Sequence, residues 1–293
     1  MLCFKVLSKL SSSLTPRKLF KIKTFNRKFQ KSMAGNNHLD RTADSGRHNV
    51  VSVATVTGLR EESKTVKSFK LKVDNDRLTF KAGQWVDMFI PQVDIVGGFS
   101  MCSSPEQLHC DKSLGLAVKY SKHPPAEWVH TQCAEGTVVN IRVGGDVYYD
   151  PDKSEPPHDL LLIAGGIGIN PLLSIMCHVK DQLKSKGDNS IPERLMLMYS
   201  ASTQDELIFK EEVEEMTSEF SQLRCTYFVT KEDTSNSQGR RISESDISEA
   251  FSWLHVDQTK AYICGPSPMI TDMENLLLKQ GLSKQNVLYE KWW

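Results

Sequence analysis

The sequence has no cysteine pair at metal or redox spacing. Its seven cysteines, Cys3, Cys102, Cys110, Cys133, Cys177, Cys225 and Cys264, are scattered and odd in number, without one C-x-x-C. This argues against a disulfide framework and against a zinc or iron–sulfur centre held by thiolates. The histidines His109, His123, His130, His158, His178 and His255 show no metal-like spacing either, so no metal is expected. No stretch reaches the roughly 18 consecutive apolar residues that a membrane span needs. Net charge is absent as well. Lys+Arg and Asp+Glu balance at 36 each, and the overall charge makes no case for nucleic acid as a partner.

Acid is also missing locally. The first acidic residue is Asp40, and the stretch before it carries Lys5, Lys9, Arg17, Lys18, Lys21, Lys23, Arg27, Lys28 and Lys31. Leu2, Val6, Leu7, Leu10 and Leu14 fall close to helical spacing. Residues 1–48 are therefore expected to be a basic leader of the mitochondrial type. The alternatives are a secretory signal, whose apolar core Lys5 and Lys9 would interrupt, and a basic tail on a cytoplasmic protein.

What remains of the 293 residues is enough for about two domains, each with a sizeable core. From about Val50 the pattern has period two. Phe69, Leu71 and Val73 alternate with Lys70 and Lys72, and Trp85–Ile90, Leu114–Tyr120 and Val138–Val143 follow between turns. Short alternating strands at this spacing predict a small antiparallel barrel over 49–150, with a short helix at Pro125–Cys133 plugging one end. Residues 151–159 are proline-rich, charged and free of large apolar side chains, as befits a linker. Over 160–293 strands and helices alternate, which predicts an α/β domain with a doubly wound parallel sheet.

Two stretches of that second domain match one another. Leu160–Leu173 reads LLLIAGGIGINPLL, an apolar strand running into Gly165, Gly166 and Gly168 and then Pro171. Glycine permits a sharp turn and close approach of a ligand, and proline suits the first turn of a helix. A helix N-terminus presents free N–H groups to a phosphate. Cys264-Gly265-Pro266-Ser267-Pro268-Met269 repeats the arrangement after a later apolar strand. If the first and fourth strands of the domain are neighbours, the two loops face each other across one crevice and can hold a dinucleotide pyrophosphate. The usual dinucleotide fingerprint is departed from: Pro171 stands where a third glycine would be, and no acid lies about twenty residues downstream.

The loops resemble those of the ferredoxin–NADP reductase superfamily, which includes the cytochrome b5 reductases. Its GGxGxxP loop corresponds to Gly165-Gly166-Ile167-Gly168-Ile169-Asn170-Pro171, and its CGPxPM loop to Cys264–Met269. Ala82-Gly83-Gln84 resembles its PGQ turn, and Gly239-Arg240 its GR element. The resemblance covers nearly all of the chain after the leader. It implies a flavin-binding antiparallel Greek-key barrel followed by a nicotinamide-nucleotide domain. It also implies that Gly165–Pro171 with Gly265, Pro266 and Met269 hold the nucleotide, and that Cys264 lies near the nicotinamide ring.

The superfamily's flavin signature, R-x-Y-S, falls on Gly97-Gly98-Phe99-Ser100. Phe99 is expected to cover a flavin face and Ser100 to donate near flavin N5. Gly97 cannot replace the arginine that clamps the flavin phosphate. The small-residue-plus-serine turn at the barrel helix reads Pro124-Pro125-Ala126, without a hydroxyl and with proline nitrogens that carry no hydrogen. Losses of this kind weaken flavin binding by several kcal/mol. The resemblance further implies roles beside the flavin for Glu290, positioning or relaying a proton, and for Trp292 as a covering aromatic.

Tyr199–Glu206, at the end of the second strand of the nucleotide domain, holds acids and no base, which favours NAD over NADP. Arg240 and Arg241 would favour NADP if a loop carried them across. The expected function is an NADH-dependent flavoprotein oxidoreductase that passes hydride from nicotinamide to FAD and electrons on to a separate acceptor. The alternative is a nucleotide-binding or scaffold protein of the same fold without flavin.

Overall fold

The computed structural model describes residues 38–152, 154–185, 192–232 and 237–290. The chain enters through a four-residue turn of helix, α1 (His38–Arg41), and a long strand, β1 (Arg47–Ser63). β1 pairs with β6 (Val138–Gly144) over Arg47–Thr55 and with β2 (Val66–Val73) over Ala54–Ser63, and the second pairing carries a bulge between Thr57 and Arg60, with Gly58 at φ +59°. An extra residue in the left-handed region increases twist at such a point, as curling a sheet into a barrel requires. With β3 (Trp85–Phe89), β4 (Gly97–Ser100) and β5 (Ser113–Lys119) the order is β4-β3-β6-β1-β2-β5, and every pairing is antiparallel. A bridge from Met101 to Leu116 brings the two edges together. The interior is filled by the inward positions of these strands, including Leu71, Val86, Met88, Leu114, Leu116 and Ile141. The predicted barrel helix is α3 (Pro124–Thr131). A further helix that the alternation does not reveal, α2 (Pro105–Asp111), is capped by Ser104, whose Oγ accepts from Gln107 N–H at 3.2 Å.

The second sheet is parallel, in the order β11-β10-β7-β8-β9. Its strands are β7 (Asp159–Gly165), β8 (Leu195–Ala201), β9 (Leu223–Val229), β10 (Thr259–Cys264) and β11 (Val287–Tyr289). Helices α4 (Ile169–Lys184), α5 (Lys210–Glu219), α6 (Glu244–Trp253) and α7 (Ser267–Lys279) connect them. Leu160–Ala164 are wholly buried because helices cover both faces of the sheet. On α4, Leu172, Leu173, Met176 and Val179 face the same core. Each such side chain contributes roughly 1.5–3 kcal/mol on burial.

Strand order reverses between β7 and β10, which run side by side with Ala164 opposite Cys264. The first and fourth strands of the domain are thus neighbours, as the two-loop expectation required. The linker is tied down: Tyr149 Oη lies 3.0 Å from His158 Nε2 in a buried pair, and Asp159 is already the first residue of β7. His38 of α1 and Arg47 of β1 pair with Asp87 of β3, and Arg47 lies opposite Gly144 of β6, so residues 38–48, grouped with the leader on composition, pack on the barrel. The rest of the predicted leader lies outside the described residues, as does Trp292.

Candidate functional site

Both glycine loops open at the carboxyl ends of adjacent strands, and their glycines serve different ends. A Cβ on Gly168 would sit 2.2 Å from the carbonyl oxygen of Cys264, and one on Gly165 would sit 2.5 Å from Met269 Sδ. Gly265 in turn approaches the Cα of Gly165, where its Cβ would stand at 3.1 Å. These glycines allow the loops to touch. Gly166 differs: its φ is +54°, and a Cβ there would meet nothing within 4 Å. It faces open space, where a phosphate could approach the backbone at the start of α4. The helix begins at Ile169, two residues before Pro171, which the first turn accommodates.

That open space belongs to a cavity of about 1190 Å³ spanning both domains, larger than the ~300–1,000 Å³ of an ordinary ligand pocket. Gly165, Gly166, Ile167, Gly168, Asn170, Pro171, Cys264, Pro266 and Met269 line it from the nucleotide domain, and Phe99 and Ser100 line it from the barrel. Three described residues of the expected set, Ile169, Gly265 and Glu290, do not. Ile169 is fully buried in the core under α4, and Gly265 is packed against Gly165.

Asn170 is 3% exposed, and its Nδ2 donates to the Ala117 carbonyl of β5 at 2.7 Å. Its Oδ1 is buried without a partner among the described residues. A buried acceptor left unsatisfied costs about 1–3 kcal/mol, so a ligand amide that donates to it gains correspondingly. The Cys264 thiol is pushed up to about 12, first by burial and then by the Glu290 charge, and stays a neutral, polarizable wall. Glu290 does not line the cavity. Burial pushes its carboxyl up to about 7 although the Trp85 indole and the backbone N–H groups of Asp146 and Val147 donate to it. It spans the seam between the domains.

On the barrel wall Phe99 folds back over its own strand. A Cβ on Gly97 would lie 2.5 Å from Phe99 Cε2 and 2.9 Å from Pro125 Cβ. A side chain at Gly97 would require Phe99 and Pro125 to shift, so the absence of the arginine and the place Phe99 takes go together.

At the nucleotide end Ser200, Ser202, Glu206, Thr230 and Arg241 line the cavity. Glu206 is committed across the seam, where its carboxylate accepts from Thr65 Oγ1 at 2.6 Å and Ser63 Oγ at 3.0 Å and pairs with Lys119. Arg240 is committed to Asp246, its Nη2 donating at 2.8 Å. His38, Arg41 and His123 also line the cavity, and the sequence reading assigned none of them a role there. The signals were Asp40, which ends the acid-free stretch, and the glycine pair at Gly97-Gly98. At the far end of the sheet, Asp159, Glu193 and His255 bring one donor atom each within 4.8 Å. Asp159 there accepts from the His255 backbone N–H at 2.7 Å, joining β7 to the turn before β10.

Residues 162–275 match the family model of the oxidoreductase NAD-binding domain. The chain is 44% identical over 282 residues to oxidoreductase NAD-binding domain-containing protein 1 of Xenopus laevis, covering 92% of this chain and 88% of the relative. The chain belongs to that family. The Homo sapiens member is 42% identical over 270 residues, 90% of this chain and 86% of its own. The family has the fold of the ferredoxin–NADP reductases. A Neisseria gonorrhoeae ferredoxin NADP+ reductase with bound FAD and NADP superposes with TM-score 0.70 at 18% identity, over 84% of this chain and all of that one. The flavohem-like FAD/NAD binding domain of a Vibrio cholerae nitric oxide dioxygenase gives 0.69 at 18% identity, over 82% of this chain and 98% of its own. At such identity these two speak for the fold alone.

Proposed function

We propose that the chain is an NADH-dependent flavoprotein oxidoreductase that delivers electrons to an acceptor outside itself. One observation carries this reading: a single cavity is walled by both glycine loops and Cys264 on one side and by Phe99 and Ser100 on the other. The nicotinamide nucleotide fits the residues present. Gly166 opens the backbone to the pyrophosphate, the Asn170 oxygen accepts from an amide, and the neutral Cys264 thiol leaves room for a ring. The flavin ring fits Phe99 and Ser100, while its phosphate finds no arginine at Gly97. A nicotinamide–flavin pair bound here supplies the hydride and one-electron chemistry. The chain contributes orientation by the two loops and a hydroxyl at Ser100, while the Glu290 carboxyl, raised by burial, sits at the domain seam outside the cavity.

The obstruction at Gly97 favours a second reading, a nucleotide-binding protein of this fold without flavin. A visible spectrum separates the two. A yellow protein, or one that takes up added FAD, whose absorbance NADH bleaches without oxygen supports the reductase. A colourless protein that takes up no flavin but melts higher with NADH supports the second reading. Arg241 makes NADPH the nucleotide to compare. A preference for NADPH that is lost in Arg241→Ala would overturn the assignment to NADH. The basic leader supports a mitochondrial address, which a fusion of residues 1–37 to a fluorescent reporter tests by its location.

A further inference from the structure

The barrel lacks the usual cation for a flavin phosphate, yet a guanidinium lines the same cavity. We propose that the N-terminal turn α1 supplies the contact: Arg41, with the imidazoles of His38 and His123 beside it, receives the phosphate of a flavin nucleotide seated along β4. The inference rests on the flavoprotein reading and names the groups that complete it.

Four observations lead there. The first is steric. Phe99 and Pro125 close the space above Gly97, and Pro124 and Pro125 remove two backbone donors from the first turn of α3, so neither provides a phosphate contact.

The second is the neighbouring glycine. A Cβ on Gly98 would fall 2.2 Å from the ring of His38. Glycine at this position lets α1 lie on β4.

The third is the anchoring of α1. His38 Nε2 meets Asp87 Oδ1 at 2.9 Å, and its ring stands edge-on to Trp85 at 4.7 Å. Asp87 is wholly buried and also accepts from Arg47 Nε at 3.0 Å and Arg142 Nη2 at 2.6 Å. Thr42 Oγ1 donates to the His38 carbonyl at 2.8 Å and closes the turn. A buried, multiply paired carboxylate holds its partners in one geometry, so α1 is a fixed part of the wall.

The fourth is placement. His38 and Arg41 are three residues apart, hence on one side of the turn, and both line the cavity with Gly98, Phe99, Ser100 and His123. His123 feels them. Burial first, then the charges of Arg41 and His38, hold its imidazole below the usual range. A guanidinium can meet a phosphate here with two parallel hydrogen bonds, and a phosphate charge would favour the protonated form of His123 beside it.

The phosphate ester of FMN and the diphosphate of FAD share this chemistry, so the test uses both, with riboflavin as the flavin that has none. Binding to the full chain is followed by quenching of flavin fluorescence. Arg41→Ala is expected to weaken FAD and FMN roughly 10- to 100-fold, the range of a charged hydrogen-bonding contact, and to leave riboflavin unchanged. Loss with FAD alone also supports the proposal and assigns the contact to the outer phosphate. Gly98→Ala, which displaces His38 without touching Arg41, is expected to reproduce the loss. An unchanged thermal midpoint in Arg41→Ala shows that the exposed substitution leaves the fold intact. Equal FAD and FMN affinity in wild type and Arg41→Ala, or a matching loss of riboflavin, would overturn the inference while leaving the flavoprotein reading in place. Failure of the wild-type chain to bind any of the three flavins overturns both.

Discussion

Glycines of one loop can have opposite sensitivities. Gly168→Ala drives a methyl into the Cys264 carbonyl, a backbone atom that cannot swing aside, and the loops must separate. We expect a loss of about 1–3 kcal/mol in stability, the range for overpacking, together with loss of NADH binding. Gly166→Ala meets no atom and carries only the strain of a left-handed φ, about 1–2 kcal/mol. Gly166 lines the cavity, so affinity should suffer more than stability. Chemical denaturation alongside NADH titration of the two variants separates these outcomes. Glu290 makes a prediction about pH. Its folded value of about 7 lies above the roughly 4.3 of an unfolded glutamate, so protonation favours the folded state. That contribution is complete below pH ~4.3 and falls away as pH rises from there to about 7, by on the order of 3–4 kcal/mol for the full shift. Thermal melts from pH 5 to 8 should show this slope in the wild type, and Glu290→Gln should flatten it. A wild-type slope that survives the substitution would refute the assignment.

Elements differed in how much of them the chain discloses locally. Both glycine loops and the βα units were legible because apolar run, glycine and proline sit together in sequence and act on the same few backbone atoms. The barrel strands showed wherever one face meets the core and the other water. β4 did not, since Gly97-Gly98-Phe99-Ser100 has no alternation to read, and α2 lay hidden in one short polar turn. α1 was illegible for a stronger reason. Four residues do not make a stable helix alone; the turn persists because Asp87, nearly fifty positions on, pairs with His38 and with Arg47. Burial raises the Asp87 carboxyl, but His38, Arg142 and Arg47 outweigh that and hold it below the usual range. Asp87→Ala should therefore cost about 3–5 kcal/mol, the penalty for stranding buried partners. Urea unfolding measures it, and a loss under 1 kcal/mol would mean the network is ornamental.

On the scale of the molecule, the site exists because two domains meet in one orientation. Asn170 and Ser174 of α4 donate to the carbonyls of Ala117 and Ser103 in the barrel, both at 2.7 Å. Tyr262 reaches the Tyr148 carbonyl at 3.1 Å, and Glu206 clasps Ser63, Thr65 and Lys119. Lys119 and Thr65 hold the Glu206 carboxyl below its usual range against the push of burial. Glu206→Ala should loosen the cleft at its nucleotide end. A several-fold weaker NADH affinity with a thermal midpoint lowered by a few degrees is the expected result, read by titration and calorimetry. None of these contacts could be located from sequence, since each joins residues brought together only after both sheets have formed.

The anchoring of α1 also bears on maturation. If a leader is removed, a mature chain that begins beyond His38 leaves Asp87 short of one partner, and one that begins beyond Arg41 takes that guanidinium from the cavity wall. We expect a mature chain to begin no later than His38. Mass spectrometry of the native protein's N-terminus reads this directly. A mature species starting after Arg41 would show that the barrel does without α1.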